Sequence, residues 1–190
     1  MIIALVGLPG SGKGAVVKIL EKKGFSKIRF GDITDIELKK RGLEITEHNE
    51  KSLREELRKT YGMSAYAQLL LPLIDEKIAS KTKGKGQKIV LDGLRSYEEL
   101  ILLKKQFGKD LKVVVIYAPQ TLRIKRLSKR ATRPLTEQEV KARDYNELTV
   151  LNVRKTMKHS EYRIKNIGDL RCLNRKVGKM LVKINQQITR

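Results

Sequence analysis

The tightest constraint on this chain lies in its first fourteen residues. An apolar run, Ile2–Val6, passes directly into Gly7-Leu8-Pro9-Gly10-Ser11-Gly12-Lys13-Gly14. Beyond the lysine the pattern turns amphipathic, with Val16, Val17, Ile19 and Leu20 apolar and Gly24 closing the segment. A strand, a glycine loop and a helix in that order make an anion cradle, because backbone N–H groups at a helix N-terminus can wrap a phosphate. Gly7, Gly10 and Gly12 permit close approaches that a Cβ forbids. Lys13 brings a positive charge to the β and γ phosphates of a bound nucleotide. Gly14 and Ala15 stand where Ser or Thr ordinarily offers a hydroxyl to magnesium, so the loop supplies no such side chain.

Short apolar runs recur along the chain, separated by longer amphipathic segments. The runs Ile2–Val6, Lys27–Phe30, Ile89–Leu91, Val113–Tyr117 and Tyr162–Asn166 read as strands. Strands alternating with helices predict an α/β fold with five parallel strands. The helical patterns cover Lys13–Lys23, Ile33–Arg41, Asn49–Thr60, Ser64–Ser80, Tyr97–Phe107, Gln120–Arg130, Glu137–Lys155 and Leu170–Thr189. Asp32 is placed to cap the second of these and Gly42 to end it. The mostly helical stretch between the second and third strands is too long for one crossover and predicts an inserted helical region over 33–80. Lys81–Gly86 reads as an exposed loop.

Composition bounds the partners. The 190 residues suit a single domain, and 40% hydrophobic content excludes a disordered chain. Lys and Arg number 42 against 21 acids, and residues 112–190 alone carry a net +14. That charge suits phosphate-bearing partners, whether nucleotides, RNA or an anionic surface, although a solvated ionic surface gives the same imbalance. The single cysteine, Cys172, excludes an internal disulfide, and neither His48 nor His159 has a partner at metal-ligand spacing. The N-terminal apolar run is too short for a membrane span and lacks a basic flank, so a soluble, cytoplasmic protein without a membrane partner is expected.

Three further constellations bear on chemistry. Ile89-Val90-Leu91-Asp92-Gly93-Leu94-Arg95-Ser96 ends a strand on an acid, which suits Asp92 to organise the waters around Mg²⁺. The run from Arg123 to Arg133 holds Arg123, Lys125, Arg126, Lys129, Arg130 and Arg133 with no acid. Arg126 and Arg130, four apart, are expected on one helical face, where their forked donors converge on one anion. Tyr61, Tyr66 and Tyr117 read as packing groups, with Tyr61 or Tyr66 also able to stack on a base.

The Pro9-Gly10 step and the Gly12-Lys13-Gly14 ending make the loop resemble that of adenylate kinases and related nucleoside monophosphate kinases. To about Asn166 the chain is most similar to the archaeal adenylate-kinase-related P-loop proteins. The resemblance implies a P-loop NTPase three-layer αβα domain over residues 1–190, with an acceptor-binding subdomain at 33–80 and a short basic lid at 123–145. It implies an ATP-dependent kinase that passes the γ-phosphate to a nucleoside monophosphate such as AMP, with ATP and Mg²⁺ as cofactors. Gly7, Leu8, Pro9, Gly10, Ser11, Gly12, Lys13 and Gly14 would hold the donor phosphates. Lys13, Arg126, Arg130 and Arg143 would act at the transferred group, with Arg154 a weaker candidate. Asp32, Gly93 and Arg95 would meet the acceptor.

The sequence also departs from the family pattern. In Phe30-Gly31-Asp32-Ile33-Thr34-Asp35, Phe30 replaces the usual Thr and Asp35 the Arg that grips the acceptor phosphate. Arg29, Arg54 or Arg58 would have to supply the missing charge. Two alternatives remain at this point: a hydroxyl-acceptor kinase for dephospho-coenzyme A or a nucleoside, with Asp32 orienting the hydroxyl, or a nucleotide-regulated RNA-binding protein without turnover.

Overall fold

The computed structural model describes residues 1–79, 87–131 and 134–188. Five strands, β1 (Ile2–Val6), β2 (Ser26–Arg29), β3 (Ile89–Asp92), β4 (Leu111–Tyr117) and β5 (Tyr162–Lys165), form one parallel sheet in the order β2-β3-β1-β4-β5. Helix α1 (Lys13–Glu21) joins β1 to β2. Between β2 and β3 lie α2 (Gly31–Lys40), α3 (Glu47–Tyr61) and α4 (Ala65–Ala79). Helix α5 (Tyr97–Phe107) leads through a short 3-10 turn into β4. Helices α6 (Gln120–Ser128), α7 (Glu137–Thr149) and α8 (Val153–Lys158) precede β5, and α9 (Leu170–Ile188) follows it.

Strand alternation builds the three layers. Successive side chains of a strand face opposite ways, so a sheet covered on both faces needs apolar residues at every position. On one face Ile2, Ala4, Val6, Ile89, Leu91, Val113 and Val115 pack against Leu70 and Ile74 of α4, Leu100 and Leu103 of α5 and Val153 of α8. On the other, Ile3, Leu5, Val90, Val114 and Ile116 meet Val16, Val17 and Leu20 of α1 and Leu173, Val177 and Ile184 of α9. β1 therefore sits in the middle of the sheet, fully buried, with Leu5 in register with Asp92 on one side and Val114 on the other. Its carboxyl end, where Gly7 begins, falls at the centre of the edge where open α/β sheets bind ligands.

Two sequence expectations change. The helix read as Glu137–Lys155 is two helices, because Asn152 takes a left-handed conformation (φ 47°) and turns the chain between α7 and α8. Asp32 is not a cap. Helix α2 starts two residues earlier than expected, at Gly31, and the Asp32 carboxylate accepts from the Arg29 backbone N–H (3.1 Å) and from Arg29 Nε (2.8 Å). The expected loop at Lys81–Gly86 lies outside the described residues.

Helix α5 begins with a capping box. Ser96 Oγ accepts from Glu99 N–H (3.1 Å), and Glu99 Oε2 accepts from the N–H groups of Ser96 and Arg95 (3.0 Å each). Glu99 is only 1% exposed. Burial pushes its carboxyl up to about 7, against those N–H bonds and the charges of Arg58 and Arg95. Between the ordinary carboxylate pKa and about 7 the native state therefore holds a proton that the unfolded chain has lost, so stability falls as pH rises through that window. The contribution is on the order of 3 kcal/mol. Urea denaturation at mildly acidic and at neutral pH is expected to show a smaller pH-dependent loss for Glu99→Gln than for the wild type; equal slopes would contradict this origin.

Candidate functional site

The loop from Gly7 to Gly14 leaves the central strand and is held from outside by three side chains. Asn166 Nδ2 donates to Ser11 O (2.9 Å). Arg123 donates from its terminal nitrogen to Pro9 O (3.0 Å), and Arg126 reaches Gly10 O (3.4 Å). In a trans peptide the carbonyl and the following N–H point in opposite directions, so capturing carbonyls on the outside turns N–H groups inward. Two glycines show how close the packing is. A Cβ on Gly12 (φ 101°) would lie 2.1 Å from Asn166 Nδ2, and one on Gly7 (φ 154°) 2.3 Å from Ile116 O. Both positions admit glycine alone. Gly14, the second residue of α1, faces open space, with no atom beyond its own helical turn within 4 Å of where its Cβ would stand.

Lys13 is half-buried, and its Nζ folds back to donate to Gly7 O and to Leu8 O (3.3 Å). Burial lowers its pKa, while Glu147 and Asp92 oppose the shift. A cation inside a glycine loop with first-turn N–H groups is matched to a polyphosphate, and ATP fits this donor set. Asp92 is the last residue of β3, beside the end of β1. Among the described residues no three His, Cys, Asp or Glu side chains gather as a metal site. Together with the missing side chain at Gly14, that leaves magnesium a fit to the site through the nucleotide and through waters on Asp92.

Helix α6 carries the basic run, and its arginines separate. Arg123 is buried and forms a two-pronged pair with Asp144 of α7 at 2.8 and 2.6 Å. Its Nε donates to Ala118 O (3.2 Å), and Gln120 also donates to Asp144 (3.0 Å). Arg126 is half-buried and also donates to Asn166 O (3.1 Å). Arg130 is exposed and lies beyond the end of α6, so the shared helical face expected for Arg126 and Arg130 does not form. Arg133 lies outside the described residues. Arg143 pairs with Glu47 at the start of α3 (3.3 Å), bridging α7 to the helices inserted between β2 and β3. Arg154 is exposed on α8.

The other wall is built from the ends of β2 and β3. Gly93 packs on Phe30, and Ser96 Oγ donates to Met63 O in the α3–α4 turn (2.6 Å). Arg95 projects half-exposed and pairs with Glu147 (3.4 Å). Asp32 and Asp35 both bind Arg29.

Asn166 and Glu147 are the residues that sequence reasoning missed as parts of this site, and Asp144, which with Arg143 resembles a returning lid segment in sequence, serves as the partner of Arg123. Asp144 and Glu147 follow Val140 at helical spacings of four and seven, so all three share one buried face. Two acids in phase with a core valine were a readable signal. Asn166 carried none, since its role depends on β5 ending beside the loop.

A strand, an anion cradle and a helix at the centre of a five-stranded parallel sheet define an α/β protein of P-loop kinase-like fold. A family model described as an AAA domain matches residues 3–148. A UPF0200 protein of Thermococcus onnurineus is 31% identical over 187 residues, covering 97% of this chain and 98% of its own. One of Pyrococcus horikoshii is 33% identical, covering 97% of both. The chain belongs to the UPF0200 family and carries this AAA domain. Among solved structures, a gluconokinase from Sinorhizobium meliloti shares the fold at a TM-score of 0.60 and 15% identity, covering 98% of this chain and 94% of that one. Shikimate kinase from Aquifex aeolicus shares it at 0.55 and 19%, covering 100% and 99%. Among the described residues no helix is long and apolar enough to cross a membrane.

Removing one member of a buried ion pair leaves the other uncompensated, at a cost of roughly 3–5 kcal/mol. Arg123→Ala is therefore expected to destabilise the fold by that order and, through the freed Pro9 carbonyl, to weaken ATP binding further. Arg123→Ala with Asp144→Ala should recover much of the stability. Chemical denaturation of the two variants checks it, and equal losses in both would be the contrary result.

Proposed function

We propose that this protein is an ATP-dependent phosphotransferase that passes the γ-phosphate to a nucleoside monophosphate such as AMP, in the manner of the adenylate-kinase-related proteins its loop resembles. The observation that carries the reading is Lys13 held inside a glycine loop whose carbonyls are tied outward to Arg123, Arg126 and Asn166. The donor phosphates then lie on the loop's inner side, among its N–H groups and Lys13, with α6 behind the loop. The acceptor lies toward Gly93, Arg95 and α2–α4, across Asp92 from the donor.

In the reaction an acceptor phosphate oxygen attacks the γ-phosphorus. A P–O bond forms there, the bond to the β,γ-bridging oxygen breaks, and its electron pair leaves with ADP. The acceptor phosphate has a second pKa of about 6 and is ionised at neutral pH, so no protein base is required. When bound through the nucleotide and waters on Asp92, magnesium would supply neutralising charge to the phosphates. Lys13 exchanges its bonds to Gly7 O and Leu8 O for phosphate oxygens. Arg126 stands at the loop's outer side, where it can turn from backbone carbonyls to the transferred group, and Arg130 and Arg143 approach from the α6–α7 segment, which serves as a short lid. The pairing of Arg143 with Glu47 supports such a closure, because it draws the lid to the helices of the acceptor side. Asp32 is engaged by Arg29, which argues against its use as a base for a hydroxyl acceptor.

Lys13→Ala is expected to lower phosphotransfer by roughly 10²-fold or more while leaving the thermal midpoint near that of the wild type. Retained turnover in a folded variant would reject the assignment. Arg95→Ala should raise the acceptor's KM well above any change in the donor's, with initial rates measured against each substrate in turn; a donor-side effect would displace Arg95 from the acceptor.

A further inference from the structure

Resting on that reading, one question is what grips an acceptor anion when Asp35 occupies the position of the family's arginine. Arginines near this wall are accounted for one by one. Arg29 is neutralised by Asp32 and Asp35. Arg41 is paired with Glu56, and Arg54 with Glu47 and Glu50. Arg58, on the inner side of α3, has no ion pair among the described residues, and its Nε is buried without a hydrogen-bond partner.

Its surroundings are built. The guanidinium sits over the Tyr66 ring, 5.3 Å from the centroid, and the Tyr66 hydroxyl is fixed by Thr34 Oγ1 at 2.7 Å. Five residues on, Met63 O accepts from Ser96, the neighbour of Arg95, which docks this end of α3 against the end of β3. Burial pulls Arg58 below its ordinary pKa; Glu99 and Tyr66 oppose that, and the charges of Arg95 and Arg54 add to it. An unpaired, partly dehydrated guanidinium is costly unless something answers it.

We infer that Arg58, together with Arg95, forms the anion-binding end of the acceptor site and selects an acceptor carrying a phosphate over its neutral counterpart. Arg58 presents Nε and a terminal nitrogen as a fork to two phosphate oxygens, with Tyr66 as the apolar plate that fixes the plane of the fork. On binding, the acceptor phosphate replaces Glu147 as the partner of Arg95. Arg58 thereby takes over, from a different helix, the charge that Asp35 cannot provide.

The test loads the protein with a non-hydrolysable ATP analogue and magnesium, then titrates AMP and adenosine by calorimetry. AMP is expected to bind at least roughly tenfold more tightly than adenosine, as a charge-assisted bond implies. Arg58→Gln should weaken AMP by a similar factor while adenosine and the ATP analogue stay unchanged, and Arg58→Lys should recover part of the loss. In the wild type, the ¹⁵N–H resonance of Arg58 Nε should move with AMP and stay still with adenosine, a readout that does not depend on any variant folding. Absence of AMP binding, equal binding of AMP and adenosine, or an unmoved resonance overturns the assignment. Each of those results with intact binding of the ATP analogue leaves the donor site standing, whereas loss of the analogue's binding would strike the phosphotransferase reading itself.

Discussion

The capture of loop carbonyls by side chains from α6 and from the end of β5 is the interaction on which the rest depends. Pro9, Gly10 and Ser11 each give a carbonyl oxygen to Arg123, Arg126 or Asn166. With those oxygens turned out, the loop keeps the curvature that exposes its N–H groups and encloses Lys13. The capturing side chains are themselves anchored: Arg123 by Asp144, and Asn166 by its own N–H bond to Tyr117 O at 2.7 Å. The N-terminal motif is thus completed by residues more than a hundred positions away, and it becomes a site only when α6, α7 and β5 are in place.

The basic excess divides under this view into several kinds of charge. Arg123 is buried and spends its donors on the scaffold, and Arg126 is half-buried against the loop. Lys125, Lys129 and Arg130 face solvent. Among the described residues, most arginines beside the β2–β3 insertion meet carboxylates, and Arg58 does not. Net charge alone suggested a general attraction for phosphate. The tertiary arrangement sorts that attraction into structural ties, exposed surface and, among the described residues, a buried guanidinium nitrogen without a partner at Arg58.

Much of the fold was legible in the chain because a parallel sheet buried on both faces demands uninterrupted apolar strands. All five strands lie within two residues of where the short runs put them, the inner three rich in Ile, Val and Leu and the edge strands β2 and β5 each with one buried isoleucine, Ile28 and Ile164. The errors came where local pattern and tertiary packing disagree. Glu137–Lys155 reads as one helix because its polar and apolar residues stay in phase, yet Asn152 tolerates a left-handed turn that lets Val153 reach the sheet. Asp32 has the composition of a cap, but Arg29 sits within reach and takes its carboxylate. The pairing of Arg126 with Arg130 failed because α6 ends at Ser128.

The sequence by itself determined the anion cradle, since glycine at Gly7, Gly10 and Gly12 followed by Lys13 is a local requirement written in consecutive residues. It also determined the layered α/β fold, because strand and helix periods are local as well. Only the tertiary structure decided which charges remain available. Whether a guanidinium binds a ligand or a neighbouring carboxylate depends on what the fold brings within about 4 Å of it, and no spacing along the chain records that distance.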